Sequence, residues 1–219
     1  MIKLPNFKKS FEYENDFYLS CDVSRLGKLL GQYELFKMVK DIPGEIVECG
    51  VFKGASLCRF AIFRELFGNS IKKKIIAFDT FGKFPKAKFT KDIQTRNNWL
   101  KIVGNKSISK QQLMKILKHK KTHKLVELVK GDIVKTVPLY VKSHPNLKIS
   151  FLNLDTDLYE PSLTVLNFLY PKIVKGGILL LDDYNFFPGE TKAVNEYFKN
   201  KNIKLKPFPF IDSKLYIVK

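Results

Sequence analysis

The residues of this chain best suited to chemistry are four carboxylates in two short clusters, each directly behind an apolar run. Ile149-Ser-Phe-Leu-Asn-Leu leads into Asp155-Thr156-Asp157, and Gly177-Ile-Leu-Leu-Leu leads into Asp182-Asp183. Apolar runs of about five or six residues with a polar stop read as buried parallel strands, and loops at the carboxyl ends of such strands build active sites. Four carboxylates then crowd one rim of one sheet. Like charges that close repel and raise one another's pKa unless a cation lies between them, so a divalent metal site is the economical reading. An all-oxygen ligand set favours Mg2+ or a similar hard ion over zinc. The competing reading makes Asp155 and Asp182 simple caps of the helices that follow, but a cap uses one carboxylate per helix and each cluster has two.

A second constellation lies earlier. In Glu48-Cys49-Gly50-Val51-Phe52-Lys53-Gly54-Ala55-Ser56, the glycines four apart let backbone pass close under a ligand, and a helix starting near Ala55 offers free N–H groups. The full G-x-G-x-x-G of a dinucleotide site is missing, so pyrophosphate binding is not indicated. The next apolar run ends in Phe78-Asp79-Thr80-Phe81, an acid placed to accept two ribose hydroxyls. Gly131-Asp132-Ile133 puts another acid on the same rim, suited to an adenine edge. His119 and His123 are spaced i, i+4 but lack a third ligand, so no metal role is expected of them.

These groups need a sheet to position them. Five apolar runs, Glu45 to Cys49, Lys74 to Phe78, Leu125 to Val129, Ile149 to Leu154 and Ile178 to Leu181, alternate with helical patterns. That alternation predicts an α/β fold with a doubly wound, mostly parallel sheet in three αβα layers. Helices are expected over Gly54 to Phe67, over Pro161 to Val174 with a stop at Gly176-Gly177, and over Glu190 to Asn200. Lys204 to Phe210 and Lys214 to Val218 read as a terminal antiparallel hairpin turning at Asp212-Ser213. Residues 1–42 form a cap segment whose amphipathic stretch, Leu26 to Val39, is placed to cover the carboxyl edge. Residues 82–124 are a Lys-rich insertion, read either as a substrate lid or as a solvated excursion, with a helix start at Ser109-Lys-Gln-Gln112.

The 219 residues fit one domain, 1–219. The start of the chain shows no apolar core of a signal peptide and no run approaches 18 apolar residues, so neither a leader nor a membrane span is expected. Three cysteines without metal-ligand spacing suit a reducing cytoplasm. The net charge of +18 comes almost wholly from lysine, with only four arginines, which argues against nucleic-acid readout. It favours an anionic small molecule, such as one bearing a diphosphate. Self-association into a homo-oligomer is left open.

Together these blocks resemble a class I S-adenosylmethionine-dependent methyltransferase and, more narrowly, the macrocin O-methyltransferase family of sugar methyltransferases. The resemblance spans about Pro43 to Tyr197. It rests on Val47 to Gly54, Ala77 to Phe81, Leu154-Asp-Thr-Asp-Leu-Tyr-Glu160 and Gly176 to Tyr184. It implies that Glu48, Gly50, Gly54, Asp79 and Asp132 surround the cofactor, with Phe52, Ser56, Thr80 and Ile133 beside them. It also implies that Asp155, Asp182 and Asp183 hold Mg2+ and that Asp157 sits beside the reacting hydroxyl. Asp182-Asp183 stands where related catechol-type enzymes have Asp-Asn. The implied reaction is methyl transfer to a sugar hydroxyl; the resemblance leaves open natural-product glycosides and surface-polysaccharide precursors, and the basic charge favours the latter, on a nucleotide-linked or glycoconjugate sugar. A sugar hydroxyl is a poor nucleophile, so a Mg2+ ion and a base, Asp157 or equally Asp155, would raise its alkoxide character. The rivals are a nucleotide-sugar glycosyltransferase using Asp155-x-Asp157 and a phosphatase with Asp155 as nucleophile. Neither explains Glu48 to Gly54 together with Asp79, and a non-enzymatic binding module leaves the four rim carboxylates without a purpose.

Overall fold

The computed structural model describes residues 2–68 and 72–219. Among these, the strands are β1 (Glu45–Cys49), β2 (Ile75–Asp79), β3 (Val126–Lys130), β4 (Ile149–Leu154), β5 (Ile173–Leu181), β6 (Lys206–Phe208) and β7 (Ile211–Val218). They form one sheet in the order β3-β2-β1-β4-β5-β7-β6. The five apolar runs are the five parallel strands, and β7 pairs antiparallel with both β5 and β6. The helices are α1 (Ser10–Ser20), α2 (Val23–Val39), α3 (Ala55–Leu66), α4 (Thr90–Val103), α5 (Lys110–His119), α6 (Ile133–Ser143), α7 (Tyr159–Phe168) and α8 (Pro188–Phe198).

Strand side chains alternate between two cores because successive residues point to opposite faces. Ile46, Ala77, Phe151 and Leu180 pack on one face with Leu35 and Phe36 of α2, Leu57 and Phe60 of α3, and Leu113 and Leu117 of α5. Val47, Phe78, Leu152 and Leu181 pack on the other with Val137 of α6, Val165 and Leu166 of α7, and Ala193 and Val194 of α8. The result is the expected three-layer arrangement, with no helix among the described residues long and apolar enough to cross a membrane.

Two expected boundaries shift. The helix predicted over Pro161 to Val174 begins at Tyr159 and ends at Phe168, and Gly176-Gly177 lies inside β5. Ile173 pairs with Ile149 while Ile178 pairs with Phe151, so the glycines form a bulge and not a helix stop. The hairpin turn falls at Pro209-Phe210, with Phe210 at φ +66°, instead of at Asp212-Ser213. The insertion is helical: Ser109 and Gln112 cap α5 reciprocally as expected, and Leu113 and Leu117 seat that helix in the core.

Candidate active site

Strand order reverses between β1 and β4, and a cavity of about 1090 Å³ opens over their carboxyl ends. A switch point of this kind is where open α/β sheets bind ligands, because the chains leaving adjacent strands run to opposite faces and leave a crevice. The exits of β1 and β4 approach closely here. Gly50 adopts φ +93°, and a Cβ on it would overlap the carbonyl oxygen of Asp155.

One side of the cavity carries the predicted nucleoside residues. Gly50, Phe52, Ser56, Asp79, Thr80, Asp132 and Ile133 all line it. Glu48 and Gly54 do not. Glu48 is wholly buried below the floor, accepting from the Ser56 hydroxyl and from Asn153 Nδ2 at 3.2 Å, while Gly54 takes φ +85° and starts α3 without a side-chain cap. The acids on this side are already engaged. Asp79 accepts from Val51 N at 2.8 Å, Phe52 N at 3.0 Å, Phe81 N at 2.6 Å and the Thr80 hydroxyl at 3.3 Å. Three backbone N–H groups thus hold it, while the Thr80 hydroxyl shares its one proton with the Lys83 carbonyl at 3.0 Å. Asp132 caps α6 through Val134 N at 3.0 Å.

The other side is acidic and far less satisfied. Asp155, Asp157 and Asp183 bring one carboxylate oxygen each within 4.8 Å of the others. Neither Asp155 nor Asp182 caps a helix: the N-cap positions of α7 and α8 are Leu158 and Phe187, which give no side-chain caps of their own. Asp182 meets Lys28 Nζ at 2.7 Å and Lys214 Nζ at 2.9 Å. Burial works to raise its pKa, yet the two ammonium groups hold it down at about 2. Asp155 makes one ion pair among the described residues, with Lys28 3.9 Å away. Burial and repulsion from Asp182 push it well up, and burial with repulsion from Asp183 and Asp155 does the same to Asp157. The geometry thus groups Asp157, expected to stand apart from the ligands, with Asp155 and Asp183, and surrounds Asp182 with lysines.

Several participants carried no sequence signal. Glu190, wholly buried in the first turn of α8, accepts from Asp183 N at 2.9 Å, and burial and Asp183 raise its pKa well up. Lys28 lies on α2 in register with the buried Gln32 and Leu35, the first turns of α2 line the cavity, and Lys214 comes from β7. The insertion adds a wall, with Phe84, Lys86, Lys88 and Trp99 facing the cavity and the Trp99 ring meeting Phe186 edge-on at 6.0 Å. His119 stacks on Phe7 with ring centroids 4.2 Å apart.

Known proteins with these features are methyltransferases. The chain is 26% identical over 163 residues to demethyldecarbamoylnovobiocin O-methyltransferase of Streptomyces niveus, covering 72% of this chain and 59% of that protein. It is 24% identical over 147 residues to 8-demethyl-8-(2,3-dimethoxy-alpha-L-rhamnosyl)-tetracenomycin-C 4'-O-methyltransferase of Streptomyces olivaceus, covering 65% and 54%. The chain thus spans less than two thirds of the length of these relatives. Among solved structures, CalS11, described as a calicheamicin methyltransferase, superposes with a TM-score of 0.79 at 27% identity, covering 95% of this chain and 85% of that one. Its apo form, described as a TDP-rhamnose 3'-O-methyltransferase, gives 0.69 at 28%, covering 95% and 86%. The family model of macrocin-O-methyltransferase (TylF) matches residues 24–217, which takes in both acidic clusters and both cavity-lining turns. The chain belongs to the macrocin O-methyltransferase family.

Proposed function

We propose that this protein transfers the methyl group of S-adenosylmethionine to a sugar hydroxyl, on a nucleotide-linked or glycoconjugate sugar in surface polysaccharide synthesis, with Mg2+ at the acidic cluster. One observation carries the reading: a single cavity has the Gly50 to Ser56 turn on one side and the Asp155–Asp157–Asp183 cluster on the other, so donor and acceptor meet within it. Family membership supports methyl transfer. The rhamnosyl and TDP-rhamnose acceptors in the relatives' names support a sugar, and lysines at the cavity mouth suit a diphosphate. The same family match includes Asp155 and Asp157, which leaves the glycosyltransferase reading without separate support. Three free thiols, Cys21, Cys49 and Cys58, agree with a cytoplasmic setting.

The residues suit a hard cation. Among the described residues, Asp182 Oδ1, Asp183 Oδ2 and Glu190 Oε2 are buried with no hydrogen-bond partner, an expensive state that a nearby ion would relieve. Asp155 and Asp183, whose oxygens approach within 4.8 Å, would hold it together with the Asp182 oxygen its lysines leave free, and Asp157, equally close to Asp155 and Asp183, would be left for the proton. Such an ion lowers the pKa of a hydroxyl and orients it. Asp157, whose carboxylate lies within the same close-set group, would then accept the hydroxyl proton. Lys28 and Lys214 offset part of the acidic charge, and the α3 amino terminus, left without a side-chain cap, faces the donor side.

Calorimetric titration with S-adenosylhomocysteine, followed by methyl transfer to a panel of TDP-sugars with and without Mg2+, tests the proposal. Binding of S-adenosylhomocysteine and Mg2+-dependent methylation of a sugar are expected. No binding overturns the donor assignment, and full turnover by metal-free protein in excess chelator overturns the role of Mg2+.

A further inference from the structure

We propose that Asp92 is a positioning residue of the reacting centre: from the insertion, it clamps together the amino termini of α7 and α8, the two helices whose preceding loops carry the acidic cluster. This rests on reading that cluster as the reacting centre. Asp92 is wholly inaccessible to solvent and is the one buried residue of α4. Its Oδ2 accepts from Tyr159 N at 3.0 Å and its Oδ1 from Gly189 N at 2.7 Å. Both helices begin without a side-chain cap from their own segment, so a single carboxylate supplied from far away in sequence serves both. It satisfies two otherwise orphaned N–H groups and sets negative charge at two positive helix ends.

The contacts of the clamp run straight into the cluster. Tyr159 is two residues beyond Asp157. Glu190, next to the clamped Gly189, donates its N–H to the Asp157 carbonyl at 3.3 Å and accepts from Asp183 N at 2.9 Å. A side chain at position 189 would overlap both the Asp92 carboxylate and Tyr159 N, so only glycine lets the three segments meet. Trp99 lies seven residues after Asp92 on the same face of α4 and lines the cavity against Phe186, in the loop that enters α8. Anchoring Asp92 therefore fixes both the carboxylate spacing and the wall opposite the acceptor.

Asp92→Asn and Gly189→Ala, alone and combined, test the proposal in the full-length protein. Asparagine keeps the shape of Asp92 but turns one acceptor into a donor that faces an N–H group. In Asp92→Asn, hydrogen exchange should accelerate at the Tyr159 and Gly189 amides, the emission of Trp99, the chain's one tryptophan, should shift, and Mn2+ affinity measured by electron paramagnetic resonance should fall. Turnover should drop on the order of 10- to 100-fold, the scale of a small misplacement of reacting groups, with S-adenosylhomocysteine affinity near wild type. The double variant should be little worse than the more damaged single one, because both break the same contact. If Asp92→Asn does not fold, Gly189→Ala opens the clamp from the α8 side and is read in the same ways. Wild-type turnover with unchanged exchange at the two amides, or fully additive losses in the double variant, overturns the proposal. A wild-type protein that methylates no sugar fails the activity reading alone, and exchange, Mn2+ affinity and Trp99 emission still report on the clamp.

Discussion

The two sides of the cavity use the same residue type in opposite ways. Asp79, at the end of β2, is met by three backbone N–H donors and holds the Val51-Phe52 turn against the Phe81 turn. Across the switch point, at the ends of β4 and β5, Asp182 and Asp183 each keep a buried oxygen with no donor among the described residues, as does Glu190 behind them. A satisfied carboxylate makes shape, whereas an unsatisfied one stores the cost of desolvation until a cation or proton relieves it. In the proposed reading, the donor side is thus built before any ligand arrives, and a bound cation would complete the acidic side.

The contrast is open to attack, first where the largest effect is expected. Asp157→Asn should leave the fold and S-adenosylhomocysteine affinity intact while lowering turnover about 100-fold or more, the usual loss for a general base. Steady-state kinetics with calorimetry check this, and near-normal turnover moves the proton to Asp155. Asp79→Ala should act on structure, because Val51, Phe52 and Phe81 lose the acceptor for their N–H groups. The cost is about 3 kcal/mol or more in thermal unfolding, with affinity falling as the turn loosens. An unchanged melting temperature with affinity lost would erase the contrast and return Asp79 to a direct ribose contact.

Glu48, below the donor side, gives a pH-dependent version. Burial raises its carboxyl to about 7, against the pull of Ser56 and Asn153. A carboxyl raised in this way binds its proton more tightly when folded, so its stabilising contribution is full below the unfolded pKa and disappears as pH rises through the folded value. From the ordinary 4.5 to about 7, the loss is roughly 3 kcal/mol. Melting temperature should fall over that window in the wild type, and Glu48→Gln should flatten the slope; an equally steep slope in the variant would assign it to the acidic cluster. The smallest effect sets the baseline. Ser109→Ala removes the reciprocal cap of α5, whose start packs on the Phe52–Gly54 turn through Ile108 and Leu113, and should cost about 1 kcal/mol in thermal unfolding with the smallest change in S-adenosylhomocysteine affinity of the variants.

Much of this was legible in the chain itself. β1 and β4 coincide with Glu45 to Cys49 and Ile149 to Leu154 because a fully buried parallel strand must be apolar on both faces, which leaves an uninterrupted run bounded by polar residues. The capping box at Ser109 and Gln112 was readable for the same local reason. The glycines at 176 and 177 were misleading because a bulge and a helix stop both call for the backbone freedom of glycine, and only the register against β4 distinguishes them. The acidic motifs showed where the chemistry lies but not how each carboxylate is partnered.

Short stretches of chain encode the alternating strands and helices, the rim on which the acids gather and the motifs that mark the family. Which charges meet depends on how those stretches pack together. Lys28 from α2 and Lys214 from β7 close on Asp182, while Asp92 from the insertion joins two helices far along the chain. A carboxylate's pKa and role depend on burial and on charges a few ångströms away, and residues that lie so close need not be neighbours in sequence.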